Sequence, residues 1–502
     1  MTGVTTIEHP AFYSCFVKLP CPISARVLLP LLAVACLSAQ SQTDQAPPLT
    51  VQGSFRTRVE AWDWFEGSAD NRYAFSGNLL RLSLGQQRKQ IDWQLELAAP
   101  FLLGLPENAI ALAPQGQFGL GASYYAANDA KSNAGMVFAK QAFVRFKGLF
   151  GDQNQSLRLG RFEFIDGAEV VPKNPTLAAL KRDRIAHRLL GNFGFSHVGR
   201  SYDGFQYVNN RPKVNYTILA AMPTRGVFQV DGWGNLKTGL VYAAATGQVA
   251  GKKSSGEWRV LGLYYHDWRR VLKTDNRPLA ARRSDLGNIR IGTFGGHYLH
   301  AWETPSGTVD ILLWGVLQAG RWGVLDHRSG ALGTEAGWQP KAVPALRPWL
   351  RAGFFHGHGD GDPNDTTHGT FFQVLPTPRI YARFPFFNLM NSQDLFGSVT
   401  LRPHKTVSIK TEVHGLRLAS RNDLWLLGGG AFQPWTFGYV GRPSNGERGL
   451  ANLYDGSIDW QVSPAATLSA YYGYATGGAV IQKTYPNGKN GSLGYLELSY
   501  RF

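Results

Sequence analysis

Three features of the sequence predict an all-β chain, a transmembrane antiparallel up-and-down β-barrel of about 18 strands with long extracellular loops and short periplasmic turns. An export-type segment stands near the N-terminus. Alternating apolar and polar residues recur from residue 51 onward, with hardly any helical periodicity. The final strand, Leu493 to Phe502, is apolar on one face and polar on the other, and stops on an aromatic residue.

At the N-terminus, Arg26 precedes an apolar run from Val27 to Leu37, followed by Ser38-Ala39 and a polar stretch. The run has signal-peptide length and is too short to cross a bilayer as a helix. Residues 1–39 are therefore read as a signal peptide cleaved after Ala39. Ala33-Val-Ala-Cys36 offers an alternative reading as a lipoprotein box, though it lacks the usual Leu. The 25 residues before the run are long for a signal and are consistent with a start downstream of Met1. Residues 40–50 are polar and Pro-containing, a periplasmic linker, and residues 51–502 form the barrel.

The strands then follow in order. Phe55, Thr57, Val59 and Ala61 share one face, with Arg56, Arg58 and Glu60 on the other. Leu80, Leu82 and Leu84 alternate with Arg81 and Ser83; Ile91, Trp93, Leu95 and Leu97 alternate with Asp92, Gln94 and Glu96. This period of two is the signature of a half-buried strand. Later strands centre on Ala142, Leu157, Val214, Leu240, Leu261, Ile291, Leu312, Trp338, Leu350, Val399, Ile409, Ile458 and Ala470. One helix is expected, within Thr176 to Leu190.

Long connections are expected at 100–135, 165–200, 268–286, 357–392 and 417–451, with shorter ones at 65–74, 224–235, 321–333 and 476–490. Tight turns such as Asn209–Pro212, Arg402–Lys405 and Ser463–Ala465 fall between them. Nine outer connections and eight inner turns suit an even-stranded barrel with both ends in the periplasm. In the last strand, Leu496, Leu498, Tyr500 and Phe502 face lipid, and Glu497 and Arg501 face the lumen near Arg56 and Arg58.

Bulk composition excludes several classes. Cys15, Cys21 and Cys36 all precede residue 41, which argues against a disulfide scaffold, a thiol enzyme or a Cys-based zinc site in the exported part. Lys plus Arg number 51 against 35 Asp plus Glu, a net charge of +16. These basic residues are dispersed among strands instead of forming runs, so no nucleic-acid partner is expected. A fixed-period repeat, as in a propeller or solenoid, is absent. No Gly-x-Ser-x-Gly elbow, His-Glu-x-x-His pair or phosphate loop occurs.

Several segments resemble the alginate export family of outer-membrane porins. They are Gly53-Ser-Phe-Arg-Thr-Arg-Val-Glu60, Leu157-Arg-Leu-Gly-Arg161 with Arg200-Ser-Tyr-Asp-Gly204, and the stretch from Gly359-Asp-Gly-Asp-Pro363 through Phe371–Pro376 to Phe387-Asn-Leu389. Asp423-Leu-Trp425 and the final strand also fit. The resemblance spans nearly the whole exported chain through short, degenerate motifs. It implies passive passage of an anionic, alginate-like uronate polysaccharide in the bacterial outer membrane. A general or small-anion uptake porin and a loop-plugged structural or adhesive barrel are the alternatives, with a barrel enzyme last. The expected partners are the acidic polymer or solute, outer-membrane lipid and lipopolysaccharide, and the barrel assembly machinery. The expected state is a monomer without cofactor.

The lumen wall is where such a barrel selects. Arg56, Arg58, Arg81, Arg145, Arg158, Arg161, Arg351, Arg383 and Lys410 sit on or beside expected strands. Guanidinium pairs bidentately with carboxylates, and rings of Arg and Lys select anions in pores. The competing reading is structural: Glu60, Glu96, Glu163 and Glu412 are available to pair with them across strands. Arg182, Arg184, Arg188 and Arg200 form a second basic cluster with Lys181, His187 and His197. It reads either as a constriction folded inward or as an outer charge patch facing lipopolysaccharide phosphates. Asp360, Asp362 and Asn364 have the spacing of the first EF-hand calcium ligands, but Asp365 and Phe371 stand where that loop needs Gly and Glu.

Overall fold

The computed structural model describes residues 48–377 and 383–502. The signal peptide read at 1–39, its cysteines and most of the linker lie outside the described residues.

Period-2 alternation yields eighteen wall strands. They begin with β1 (Thr50–Asp63), β2 (Arg72–Gln87), β3 (Ile91–Leu103), β4 (Phe138–Lys147), β5 (Gln155–Phe162) and β6 (Tyr202–Asn210). Next come β7 (Val214–Pro223), β8 (Thr238–Ala250), β9 (Ser254–Asp267), β10 (Ile289–Thr304), β11 (Gly307–Trp322) and β12 (Leu325–Pro340). The wall ends with β13 (Trp349–Gly357), β14 (Ser392–His404), β15 (Val407–Leu418), β16 (Gly449–Gln461), β17 (Ala466–Gly477) and β18 (Asn490–Arg501). Each pairs antiparallel with its sequence neighbours, and two-residue additions at Ala134–Gly135 and Thr367–His368 complete the sheet.

The cylinder closes where β1 meets β18, in register from Ser54↔Arg501 to Asp63↔Ser492. Beyond that ladder, Gly53 N–H donates to the Phe502 carbonyl at 2.7 Å and Phe502 N–H returns to the Gly53 carbonyl at 2.9 Å. A Cβ at residue 53 would lie 2.2 Å from the Phe502 ring, so any larger residue there displaces that exposed terminal ring. The closing strand has the expected phase. Leu496, Leu498, Tyr500 and Phe502 are exposed on the outer face, while Leu493 and Tyr495 are buried on the inner one.

The same sorting runs round the wall. Val59, Leu82, Ile218, Val260, Leu313, Leu332, Val413 and Ile458 are exposed, although they are large and apolar. A soluble protein has little reason to expose such a band; a hydrocarbon phase stabilises it. Tyr216, Trp302, Trp338, Trp460 and Tyr500 mark the short-turn end of the outer face, as an interfacial aromatic girdle does. Charged residues such as Glu60, Glu257, Asp310, Glu335 and Asp394 are instead buried inside.

Nine connections emerge at one end and eight short turns at the other. Two expectations about them change. The connection placed at 321–333 is only Gly323-Val324, and β12 begins at Leu325; Gly323 supplies the positive φ of 63° that so tight a reversal needs. The helix placed at Thr176 to Leu190 is one short helix, Pro175–Leu180, followed by a π-type turn over Lys181–Ile185. Asn174 caps it, accepting from the N–H groups of Thr176 and Leu177, and Pro175 pre-sets its first turn. It ends where side-chain charges of the next turn are captured by the wall.

The long connections fold back into the barrel and fill it. In the 104–137 connection, helix α1 (Gly119–Ala127) packs Tyr124 against Phe75 and Phe228. The helix at Pro175–Leu180 is α2. Residues 163–201 and 358–377 are joined by hydrogen bonds between Leu189, Gly191 and Leu375. Trp64, Phe65, Phe384, Phe386, Trp425 and Tyr485 form one contiguous aromatic cluster among the loops. Burying one Phe side chain contributes roughly 1.5–3 kcal/mol, so apolar packing alone gives this filling substantial cohesion.

Candidate functional site

The half of the lumen nearer the short turns holds two adjoining cavities. One, of about 510 Å³, is lined by Arg182, Arg184, Arg351, Arg383, Arg402 and Lys410, with Asp183 and Asp459 as its acidic groups. The other, of about 980 Å³, lies toward the mouth and carries Arg182, Lys341, Arg347 and Arg402 with no acidic lining residue. They share Ala179, Arg182, Trp349 and Arg402, so together they make one basic vestibule. Hydroxyls of Thr400, Ser408 and Ser457 supply neutral hydrogen-bonding groups on its wall. His187 also lines it; burial lowers its pKa to about 4, so it is neutral near pH 7. The positive charge there comes from guanidinium and ammonium groups alone.

Above the vestibule sits the α2 segment. Lys181 reaches Glu257 on β9 at 2.7 Å. Arg184 reaches Glu412 on β15 at 2.5 Å and Glu335 on β12 at 3.6 Å, and Arg188 also lies 3.6 Å from Glu335. Arg351 on β13 completes the cluster, 3.1 Å from Glu335 and paired with Asp310. Gly353 stands directly opposite Glu335 in the ladder. A Cβ at residue 353 comes within 2.7 Å of the Glu335 side chain, so glycine makes the space this cluster occupies.

The other residues singled out in the sequence also point inward, most of them onto carboxylates. Arg58 is held by Glu60 and Glu497, with Phe195 stacked over it at 4.0 Å. Arg56 donates to the carbonyls of Gly194 and Ser196. Arg81 bridges Glu96 and Glu163, Arg145 pairs with Asp92, and Arg161 makes a bidentate pair with Asp203. Arg158 bonds Gln206 and lies over Phe162. Lys410 pairs with Glu412 at 2.6 Å. Arg383 lies in the loop segment that precedes β14, not on a strand, and reaches Asp459 and the Tyr495 hydroxyl. Arg182 pairs with Asp183 at the vestibule, and Arg200 is buried beside the Gly429 carbonyl.

Asp360 and Asp362 spend carboxylate oxygens on turns, accepting the N–H groups of Asp362 and Asn364 respectively. Among the described residues, the group whose ligand atoms converge is Glu412, His414 and Asp455. Glu412 already carries Lys410 and Arg184, and His414 is bound to Asp394 at 2.9 Å. All three side chains are thus engaged within the protein, Asp455 by the Tyr471 hydroxyl at 3.0 Å.

Sequence reasoning missed Glu335, Glu257 and Asp310, and also Arg347, Lys341 and Arg402 at the mouth. Glu335 and Asp310 lie on the inward phase of their strands, a signal that was available. Arg402 was read as part of a turn, whereas β14 runs on to His404.

Residues 243–493 match the family model described as Alginate export. The chain belongs to the alginate export family. No curated protein matches this alginate export family chain. Solved outer-membrane proteins share its fold at low identity. OpdK of Pseudomonas aeruginosa matches at 10% identity with a TM-score of 0.52, covering 90% of this chain and 99% of its own. OccK2 (OpdF) of the same organism matches at 8% and 0.53, covering 91% and 99%. OccAB4 of Acinetobacter baumannii matches at 9% and 0.52, covering 92% and 100%. A further OpdK structure, at 10% identity and a TM-score of 0.53 over 90% of this chain and 98% of its own, contains vanillate. This alginate export family member is an outer-membrane β-barrel of the bacterial envelope, built as a channel protein, with its long connections extracellular and its basic vestibule at the periplasmic end.

Proposed function

We propose that the barrel gives passive passage to anionic, uronate-type carbohydrate, drawn into the periplasmic vestibule by its excess of guanidinium groups. The observation that carries this reading is the charge imbalance there: Lys341, Arg347 and Arg402 at the mouth face no lining carboxylate, and Arg182 beside them meets only the neighbouring Asp183. Low-dielectric walls focus that field on an entering polyanion. Farther in, Arg184, Arg351 and Lys410 already hold wall carboxylates. A solute carboxylate advances past them by exchange, displacing Glu335 or Glu412 as partner, which keeps binding weak enough for release. Family membership favours an alginate-like polymer as cargo. Lipid, lipopolysaccharide and the barrel assembly machinery are the surroundings of a monomer of this kind, and no catalytic step is assigned to it.

A second reading is favoured by the filled lumen: uptake of small carboxylates, the chemical class of the vanillate found with OpdK. Liposome flux separates the two. Entry of both glucuronate and a uronate oligomer supports the polymer path, entry of glucuronate alone supports the small-anion porin, and exclusion of both refutes the anion channel.

A further inference from the structure

A different cavity, of about 270 Å³, lies among the extracellular connections. It is bounded by α1, by the 427–440 stretch and by Phe193, Phe228 and Phe387. It shares no lining residue with the basic vestibule. Its wall is mainly aromatic and aliphatic, with Gln117, Ser123, Thr274, Gln433 and Thr436 as neutral polar groups; it contains no Asp or Glu and carries one charged residue, Arg442.

Arg442 is 1% exposed. Its Nε and Nη2 donate to the Gln115 carbonyl at 2.9 and 2.6 Å, Nη2 also reaches the Gln117 carbonyl at 2.9 Å, and its guanidinium lies over Trp425 at 5.0 Å. Nη1 has no hydrogen-bond partner. Arg200 flanks the same cavity. It is fully buried, donates from Nη2 to the carbonyl of Gly429, next to the lining residue Gly428, and sits 5.7 Å from the ring of the lining residue Phe193. Its Nε and Nη1 are also unpartnered. Arg58, Arg184 and Arg351 are also buried, but each holds carboxylates. Among the described residues, none pairs with Arg200 or Arg442.

A buried cation without a counter-ion is costly, and a forked guanidinium matches a carboxylate. An apolar cavity of roughly 150 Å³ already accommodates a benzene ring, so this one has room for a ring that bears a carboxylate. We propose that the cavity binds a monocyclic aromatic carboxylate, with its ring among Phe193, Phe228, Phe387 and Phe432 and its anionic end toward Arg442. Rings pack there edge to face, as Phe193 and Phe432 already do around Phe228. This site goes beyond the vestibule reading and does not depend on it.

Titration calorimetry on the full barrel in detergent, against a detergent blank, tests this with benzoate, benzyl alcohol and acetate. Benzoate binds saturably, one per barrel; benzyl alcohol, lacking the charge, and acetate, lacking the ring, bind at least tenfold more weakly. Arg442→Gln weakens benzoate at least tenfold. Because Arg442 also ties down the Gln115 and Gln117 carbonyls, Ser123→Trp serves as a second variant: it leaves those bonds alone, fills the cavity, and gives the same loss. Saturating glucuronate, the probe for the vestibule, leaves the benzoate isotherm unchanged. Absence of saturable benzoate binding, equal affinity for either control compound, undiminished binding to either variant, or displacement by glucuronate overturns the proposal.

Discussion

Glu335→Gln is the most informative single change in the lumen. Glu335 is 4% exposed and lies 3.6 Å from both Arg184 and Arg188 of the plug, and 3.1 Å from Arg351 of the wall. Removing one partner of a buried ion pair costs roughly 3–5 kcal/mol, because the other charge is left uncompensated. Here Arg351 keeps Asp310 and Arg184 keeps Glu412, so the low end, about 3 kcal/mol, applies. The eighteen-strand ladder does not depend on Glu335's side chain, so the cost falls on docking of the α2 segment. About 3 kcal/mol shifts the docked-to-displaced ratio on the order of 100-fold. A plug displaced about one part in a thousand of the time then becomes displaced about one part in ten. Single-channel recording in planar bilayers reads this as frequent large-conductance openings, with anion preference increased because an acid has been lost. A folded variant, shown by heat-modifiable gel migration, with the native conductance histogram refutes the idea that Glu335 holds the α2 segment docked in the lumen.

Three further outcomes follow from the same geometry. Arg347→Glu with Arg402→Glu lowers anion preference at low salt, and the effect shrinks above about 0.5 M salt as screening shortens below the width of the mouth; an unaltered preference at low salt contradicts the vestibule's role. Asp166 staples the 163–201 connection by accepting the N–H of Leu190 at 2.9 Å, and burial raises its pKa to about 7. A raised carboxyl pKa means the folded state holds the proton more tightly, so its stabilisation is complete below about pH 4 and is lost as pH rises through about 7; protection of the Leu189 and Leu190 amides, corrected for intrinsic exchange, is therefore higher at pH 6 than at pH 8, and Asp166→Asn flattens the difference. Deleting Phe502 removes two seam hydrogen bonds, together about 2 kcal/mol, and lowers the temperature at which the barrel unfolds on heat-modifiability gels; an unchanged temperature shows that the seam closes without it.

The wall was legible in the sequence because its code is local. Alternation at residues 55–61 and 493–502 sets the phase of β1 and β18, and the parity of nine outer connections and eight inner turns fits it. That phase even placed Glu497 beside Arg58, a contact spanning most of the chain. The plug was not legible in the same way. Which carboxylate Arg184 or Lys181 finds depends on how a connection folds across the lumen, and no spacing rule links residue 184 to 335 or 412. Arg383 shows the same limit: it falls within the connection expected at 357–392, and no spacing rule links it to Asp459 or Tyr495. The turn at Gly323-Val324 was overestimated because Arg321, Asp326, His327 and Arg328 read as a polar loop, whereas they continue the ladder between β11 and β12.

The central claim is a passive anion path through an outer-membrane barrel, and the reversal potential of the reconstituted protein in a potassium chloride gradient tests it most directly. The reversal potential takes the sign set by chloride and moves toward zero when Arg347 and Arg402 are reversed in charge. A potential of the sign set by potassium, or a membrane that conducts nothing, contradicts it.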